Sequence, residues 1–126
     1  MGIVHHTNYL RFMEEARVSW AHAKGLIDYQ KPESAAHFAV LETQVKHLGP
    51  ARFGDQLHIQ VQARMAGRVR VQFQYRIINS ANSQIVASGS TLHAALDSRL
   101  LPMRIPQPMK TVLEKEIWTE TWLSNL

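Results

Sequence analysis

The sequence predicts an α+β fold in which one long helix packs against a single antiparallel β-sheet. Two observations carry this prediction. Apolar residues recur at spacings of three and four over residues 8–24, whereas three later segments alternate apolar and polar residues with a period of two. Each alternating segment has one apolar face, which the apolar stripe of the helix can cover. No internal repeat or linker-like segment interrupts the chain, so residues 1–126 are expected to form a single domain.

The first predicted element is the helix over residues 8–24. Thr7 or Asn8 can cap its first turn, and Gly25 can end its last turn. Because the stripe contains large side chains, it indicates burial against a broad surface such as a sheet. The stripe consists of Tyr9, Phe12, Met13, Ala16, Trp20 and Ala23.

The first two predicted strands follow the loop over residues 27–36. Over 39–46, Ala39, Leu41, Thr43 and Val45 alternate with polar residues, until the turn at 48–50. The next strand covers residues 57–64. It forms the clearest hairpin of the chain with residues 69–77, around a turn at Ala66 and Gly67.

The fourth strand runs from Ile85 to Leu96. Its small residues Ser88, Gly89 and Ser90 predict a close approach by the helix or another backbone. Four strands leave both sheet edges exposed, which indicates a missing strand or a partner chain. After three prolines, residues 109–123 are expected to form an amphipathic helix. Its apolar residues are Val112, Leu113, Ile117, Trp118 and Trp122.

Composition narrows the functional classes. The chain has 45% hydrophobic residues, a formal charge of +4 and no cysteine. The absence of cysteine excludes disulfides, cysteine-based zinc sites and a cysteine nucleophile, and it fits a cytoplasmic protein. No apolar run has the length of a membrane span, and no signal-peptide pattern opens the chain. The modest positive charge favours polyanionic ligands without choosing between nucleotide-bearing compounds and nucleic acid.

The opening residues form a motif. Gly2 and two apolar residues precede the pair His5–His6, and Asn8–Tyr9 then leads into a helix with the run 14–17, Glu-Glu-Ala-Arg. This segment resembles the acyl-CoA thioesterases of the 4-hydroxybenzoyl-CoA thioesterase and YbgC-like family. Residues 50–55 (Pro-Ala-Arg-Phe-Gly-Asp) and 102–106 (Pro-Met-Arg-Ile-Pro) resemble that family's turn between strands and its exit from the last strand.

The resemblance implies the hotdog fold, an antiparallel sheet wrapped around a central long helix, here with an extra C-terminal helix. It implies hydrolysis of an acyl-CoA to a free carboxylic acid and CoA, with no metal and no cofactor. The expected assembly is a homodimer or a dimer of dimers, with sites between subunits. The family's catalytic aspartate stands three residues before the motif glycine, so its place would fall before Met1, as would the family's first strand.

By the same resemblance, the backbone N–H of His6 would bind the oxyanion, since the N–H groups of a helix start lack partners. The side chains of His6 and Glu14 would support the catalytic water. Two other interpretations of Glu14 stay open: it could pair with Arg17 at the i+3 position, or it could be a solvated surface residue. Asn8 and Tyr9 are expected at the substrate, although Asn8 also suits a helix cap.

Basic residues near the strand exit are candidates for the CoA phosphates, namely Arg99 and Arg104, together with Lys110. His5 and His6 are not expected to bind a metal, because neighbouring side chains diverge and the sequence offers no third ligand.

Two alternatives stay open. One is a non-catalytic acyl-CoA-binding hotdog protein, which an absent aspartate would explain. The other is a basic nucleic-acid-binding domain that uses Arg68, Arg70 and Arg76. The strands place no aromatic residue on that arginine face, so base stacking has little support, and a solvated face or subunit contact is favoured.

Overall fold

The computed structural model describes residues 7–26 and 37–123. The four strands form one antiparallel sheet in the order β1-β4-β3-β2. This confirms the predicted arrangement of a long helix, one antiparallel sheet and a shorter C-terminal helix. In chain order the elements are α1 (Thr7–Ala23), β1 (His37–His47), β2 (Leu57–Met65), β3 (Arg70–Asn79), β4 (Ile85–Leu96) and α2 (Gln107–Lys115).

Helix α1 ends where a glycine adopts a left-handed conformation. Gly25 has a φ angle of 74°. Its N–H donates to the carbonyl of His22 at 3.0 Å, and the N–H of Leu26 donates to that of Ala21 at 2.9 Å. These bonds satisfy carbonyls of the last helical turn, as glycine-ended helices commonly do. The helix predicted over 8–24 is therefore confirmed to within one residue at each end.

The core lies between α1 and the sheet face that it covers, here called the inner face. Strand β3 alternates strictly, with every second side chain buried from Val71 to Asn79. Because period-two alternation puts these side chains on one face, β3 supplies the centre of the core. The buried side chains that meet there include Tyr9 and Met13 of α1, Val71, Phe73, Tyr75 and Ile77 of β3, and Ala87 and Ala95 of β4.

Small residues in β4 bring α1 close to the sheet, as predicted. A Cβ atom added to Gly89 would overlap the sulfur of Met13 and would also touch the backbone oxygen of Gln44. A side chain at this position of β4 would force Met13 to move and would crowd the backbone of β1.

Strands β1 and β2 are the edges of the sheet formed by the described residues. The single alternation expected for β1 is wrong, because a register shift falls between Val40 and Glu42. Val40 pairs with His93, and after the shift Thr43 pairs with Thr91. A β-bulge inserts one residue, so side chains before and after it swap faces. Ala39, which pairs with Ala94, therefore lies on the outer face rather than in the predicted inward-facing set, and Leu41 is the unpaired residue of the bulge.

The C-terminal helix is shorter than predicted. Helix α2 ends at Lys115, and Glu116 is extended, with a ψ angle of 143°. Leu113 is buried in the core, and a 2.7 Å ion pair joins Glu116 to Lys24 at the end of α1. The prediction that the helix runs to residue 123 is therefore wrong. The chain leaves the helix because residues 117–123 bind the other face of the sheet.

Residues 117–123, the C-terminal strap, cover part of the outer face of β2 and β3. The Gln62 amide donates to the Thr119 carbonyl at 3.1 Å and accepts from the Thr119 N–H at 3.0 Å. Two indole rings lie over arginines, each with 4.2 Å between the guanidinium carbon and the ring centroid. The pairs are Trp118 with Arg64 and Trp122 with Arg76.

The strap changes the interpretation of the arginine face. Arg76 lies beneath the ring of Trp122, so an aromatic residue from outside the strands does reach the arginine face. Arg68 and Arg70 are exposed. The basic stripe is thus divided between a covered arginine and two solvated ones, which weakens it as a continuous nucleic-acid surface.

Candidate active site

The start of α1 lies over one end of the sheet. Tyr9 is 3% exposed, and its ring lies 5.3 Å from the ring of His47, the last residue of β1. Asn8 beside it is half-buried. Tyr9 is therefore a core residue that anchors the helix start to β1, and burial raises the pKa of its hydroxyl. The motif residues His5 and His6, with Gly2, lie outside the described residues.

Glu14 occupies the solvent-facing side of α1. Its side chain is exposed, whereas its neighbour Met13 is 1% exposed. Arg17, three residues on, directs its guanidinium to the hydroxyl of Tyr75 at 3.1 Å rather than to Glu14. The carboxylate of Glu14 thus stays available to a water or to a second chain that approaches this side of the helix.

A chain of polar side chains lies buried beneath α1, and the sequence reasoning did not identify it. From Arg17 it passes to the Tyr75 hydroxyl, then to the Thr91 hydroxyl at 2.7 Å and to Nε2 of His93 at 2.9 Å. Thr91 and His93 are each 3% exposed. The available signal was the presence of three polar side chains at inward-facing positions of β3 and β4.

The electrostatics of this chain keep His93 neutral. Burial, and to a smaller extent the nearby positive charge of Arg17, together lower the pKa of the His93 imidazole to about 4. Burial also raises the pKa of the Tyr75 hydroxyl, against the opposing effects of Arg17 and Thr91. At neutral pH these four hydrogen-bonded side chains therefore carry one charge, on Arg17.

Arg99 and Arg104 lie at the other end of the sheet from the start of α1. Arg99 belongs to a turn in which Asp97 Oδ1 accepts its N–H at 2.8 Å, and both arginines are exposed. The ten residues from Ala87, which pairs with His47, to Leu96 span roughly 30 Å. One chain alone therefore does not bring these arginines to the helix start. Lys110 is on α2, 3.8 Å from Glu114.

Asp55, the acid of the Pro-Ala-Arg-Phe-Gly-Asp run, closes a turn. Its Oδ2 accepts the N–H of Arg52 at 2.8 Å and the side-chain amide of Asn79 at 3.2 Å. Gly54 has a φ angle of 93°, which favours glycine. The motif thus serves the β1–β2 connection and its attachment to β3.

A groove of about 500 Å³ separates α1 from the edge strand β2. Its walls are mainly apolar, with Glu15, Ser19 and His58 as its polar lining; Phe12, Ala16, Trp20, Ala23, Leu57, Ile59 and Val61 complete it. Over residues 7–26 and 37–123, no three His, Asp or Glu side chains are grouped closely enough to hold a metal ion. In that same part of the chain, no helix combines the length and apolar character needed to cross a membrane.

Comparison with known proteins places this geometry in a family. A family model described as the thioesterase-like superfamily matches residues 1–114. A 1,4-dihydroxy-2-naphthoyl-CoA hydrolase of Synechococcus elongatus is 29% identical over 100 residues, which cover 78% of this chain and 72% of the relative. The acyl-CoA thioester hydrolase YbgC of Escherichia coli is 25% identical over 107 residues, 84% of this chain and 79% of the relative.

Solved structures show the same fold. The crystal structure of a 1,4-dihydroxy-2-naphthoyl-CoA thioesterase from Synechocystis superposes with a TM-score of 0.82 at 22% identity, covering 90% of this chain and 85% of that one. The sheet order and the long helix on its inner face are those of a hotdog domain. With a family match that spans most of its length, the chain belongs to the thioesterase-like superfamily.

Proposed function

We propose that this protein is an acyl-CoA thioester hydrolase, which releases a free carboxylic acid and CoA. The observation that carries the proposal is the family match over residues 1–114, which includes the motif and the whole of α1. Relatives of similar length are named as CoA thioester hydrolases. The exposed Glu14 on α1 supplies a carboxylate close to the motif.

The chemistry needs an oxyanion site and an activated water. Water adds to the thioester carbonyl, negative charge builds on the carbonyl oxygen, and the C–S bond then breaks to release the CoA thiolate, which takes up a proton. N–H groups at a helix start stabilise the negative charge. We assign the oxyanion contact to the backbone N–H of His6, and support of the water to its side chain and to Glu14.

We also propose that the active form is a homodimer joined through β1. Two such dimers would then associate into a dimer of dimers. Strand β1 pairs only with β4 among the described strands. On this free edge Val40 is 55% exposed and Leu41 is 48% exposed. An edge strand with unpaired backbone groups and exposed apolar side chains suits pairing with a second copy.

The two-fold symmetry of such a dimer would complete the site. A two-fold axis pairs β1 antiparallel with its copy, so opposite ends of the two sheets become neighbours. His47 marks the end of β1 near the start of α1, and the other end of β1 lies beside Leu96. Arg99 and Arg104 of one copy would therefore lie on the side where α1 of the other begins, and they are our candidates for the CoA phosphates.

We place the protein in the cytoplasm, where acyl-CoA is available and a chain without cysteine has no need of an oxidising compartment. When the source cells are fractionated, we expect to recover the protein in the cytoplasmic fraction. Recovery in a membrane or extracellular fraction would contradict this placement.

The proposed activity is tested by incubating the protein with a panel of short-chain, medium-chain and aromatic acyl-CoA thioesters, while free thiol is measured. We expect turnover of at least one class without added metal. Binding of acyl-CoA without thiol release, measured by calorimetry on the same panel, would instead support the non-catalytic acyl-CoA-binding protein. A salt-dependent mobility shift with RNA or DNA, without effect of acyl-CoA, would contradict both.

A further inference from the structure

The hydrogen bonds of the buried polar chain beneath α1 can all run in one direction, from Arg17 to His93. Arginine has donors only, so Arg17 donates to the Tyr75 oxygen at 3.1 Å. The hydroxyl proton of Tyr75 is then free for the Thr91 oxygen at 2.7 Å. The Thr91 proton can in turn be accepted by Nε2 of a neutral His93 at 2.9 Å. In this arrangement each hydroxyl accepts on one side and donates on the other, and the charge of Arg17 strengthens the first bond.

This chain joins α1 to the two central strands of the sheet. Arg17 is on α1, Tyr75 is on β3, and Thr91 and His93 are on β4. Phe73 packs against the His93 ring with an edge-to-face geometry, at 5.5 Å between centroids. The side chains at the sheet end of the chain are therefore held by packing as well as by hydrogen bonds.

Two contacts hold the middle of α1 on the sheet. Met13 lies over Gly89 and sets the distance between the helix and β4. Arg17 follows four residues later on the same helix face, and its bond to Tyr75 resists rotation about the helix axis. A methionine over a glycine makes no directional bond, because van der Waals contacts are nondirectional. The polar chain is thus the directional contact in this part of the interface.

We propose that Arg17, acting through Tyr75, is a positioning residue of the thioesterase, which fixes the rotation of α1 so that the N–H groups at its start point at the substrate carbonyl. The inference rests on the proposed function, because it gives the helix start a catalytic use. A rotated helix would still bind acyl-CoA through groups elsewhere, but it would misalign the oxyanion contact, and small misalignments are costly in rate.

The test uses Tyr75→Phe, Arg17→Met, their double variant, and Arg17→Lys in the full-length protein. We expect Tyr75→Phe and Arg17→Met each to lower kcat roughly tenfold with KM within about twofold. The double variant should be no slower than the slower single one, because the two side chains act as one unit. Arg17→Lys keeps a donor and should recover at least about half of the lost kcat.

Ile77→Val is the matched control, since it removes packing from the same face of β3 without touching the polar chain. It should lower the melting temperature without changing kcat. Unchanged kcat in Tyr75→Phe and Arg17→Met, or losses that simply multiply in the double variant, would overturn the proposal.

A second readout does not depend on catalysis. Amide hydrogen exchange in the first turns of α1, residues 8–16, should be about tenfold faster in Tyr75→Phe than in Ile77→Val. If the wild-type protein hydrolysed no acyl-CoA, the proposed function would fail. Amide hydrogen exchange would still test whether the contact between Arg17 and Tyr75 holds α1 in place. Equal exchange in the two variants would contradict the positioning role even in an active enzyme.

Discussion

Met13 of α1 lies directly over Gly89 at the middle of β4, so closely that a Cβ atom on Gly89 would overlap the Met13 sulfur. Gly89 itself pairs with Tyr75 of β3 and Val45 of β1. The helix and the sheet are therefore in tight contact at the middle of the sheet. The position of α1, and of everything attached to its start, depends on this contact.

Gly89→Ala is expected to destabilise the protein by about 2 kcal/mol, because overpacking forces side chains and backbone to shift. Denaturant unfolding measures the change. Gly49→Ala is the matched control, since a Cβ on Gly49 would meet no atom within 4 Å; it should change stability by less than about 0.5 kcal/mol. Equal stability of the two variants would show that the helix does not press on β4.

The neutral state of His93 should make stability fall in mild acid. Its pKa is about 4 in the folded protein, below the ordinary value of about 6.5 expected for the unfolded chain. Between these values the unfolded state binds more protons than the folded one, so the free energy of unfolding decreases as pH falls from about 6.5 to 4. The shifted pKa of His93 should lower the free energy of unfolding by on the order of 3 kcal/mol over this pH range.

His93→Gln should remove most of that dependence, as measured by urea unfolding at several pH values between about 4 and 7. His58→Gln, at an exposed position of β2, is the control and should keep the wild-type pH dependence. A His93→Gln variant with the same slope of stability against pH as the wild-type protein would contradict a buried neutral imidazole.

The outer-face pair of Arg76 and Trp122 should be measurably coupled. A double-mutant cycle with Arg76→Met and Trp122→Leu is expected to give a coupling of about 0.5–1 kcal/mol in the free energy of unfolding, as for stacked cation–π pairs. The cycle of Arg76→Met with Ile117→Ala is the reference, because Ile117 is 85% exposed. Coupling of similar size in both cycles would mean that the C-terminal strap does not bind through the indole.

These elements also show what the sequence could reveal. Strands β2 and β3 could be predicted because apolar and polar residues alternate over residues 57–65 and 69–77, which indicates one buried face in each. The bulge at Leu41 could not, because on an exposed edge strand either register satisfies the pattern. The strap could not either: Trp118 and Trp122 have the spacing of a helical face, and only the tertiary contacts with Arg64 and Arg76 overrule it.

The site divides in the same way. The candidate residues of α1 could be identified because they form a contiguous motif. The chain from Arg17 to Tyr75 joins residues 58 positions apart, and its formation depends on strand register and helix rotation. Arg99 and Arg104 share a basic character with other surface residues, so sequence alone does not say that they lie at the opposite end of β4 from Tyr9.

The dimer proposed through β1 predicts a clear effect of charge on that edge. Leu41→Lys would place two like charges near the two-fold axis, so light scattering should give the monomer mass and hydrolysis should fall at least about tenfold. Ile117→Lys adds the same charge at an exposed position away from β1 and should leave mass and rate unchanged. A Leu41→Lys protein that kept both its mass and its rate would contradict a site built between copies.

The most direct test of thioester hydrolysis at α1 compares Glu14→Gln with Glu15→Gln on the best acyl-CoA of the panel. Both side chains are exposed neighbours, and Glu15 lies 3.8 Å from Arg11, so the pair separates a catalytic carboxylate from general surface charge. We predict that Glu14→Gln lowers kcat by about 10²–10⁴-fold and that Glu15→Gln stays within about twofold of wild type. Equal rates for both variants and the wild-type protein would contradict the assignment of Glu14, and the absence of thiol release from the wild-type protein would contradict hydrolysis itself.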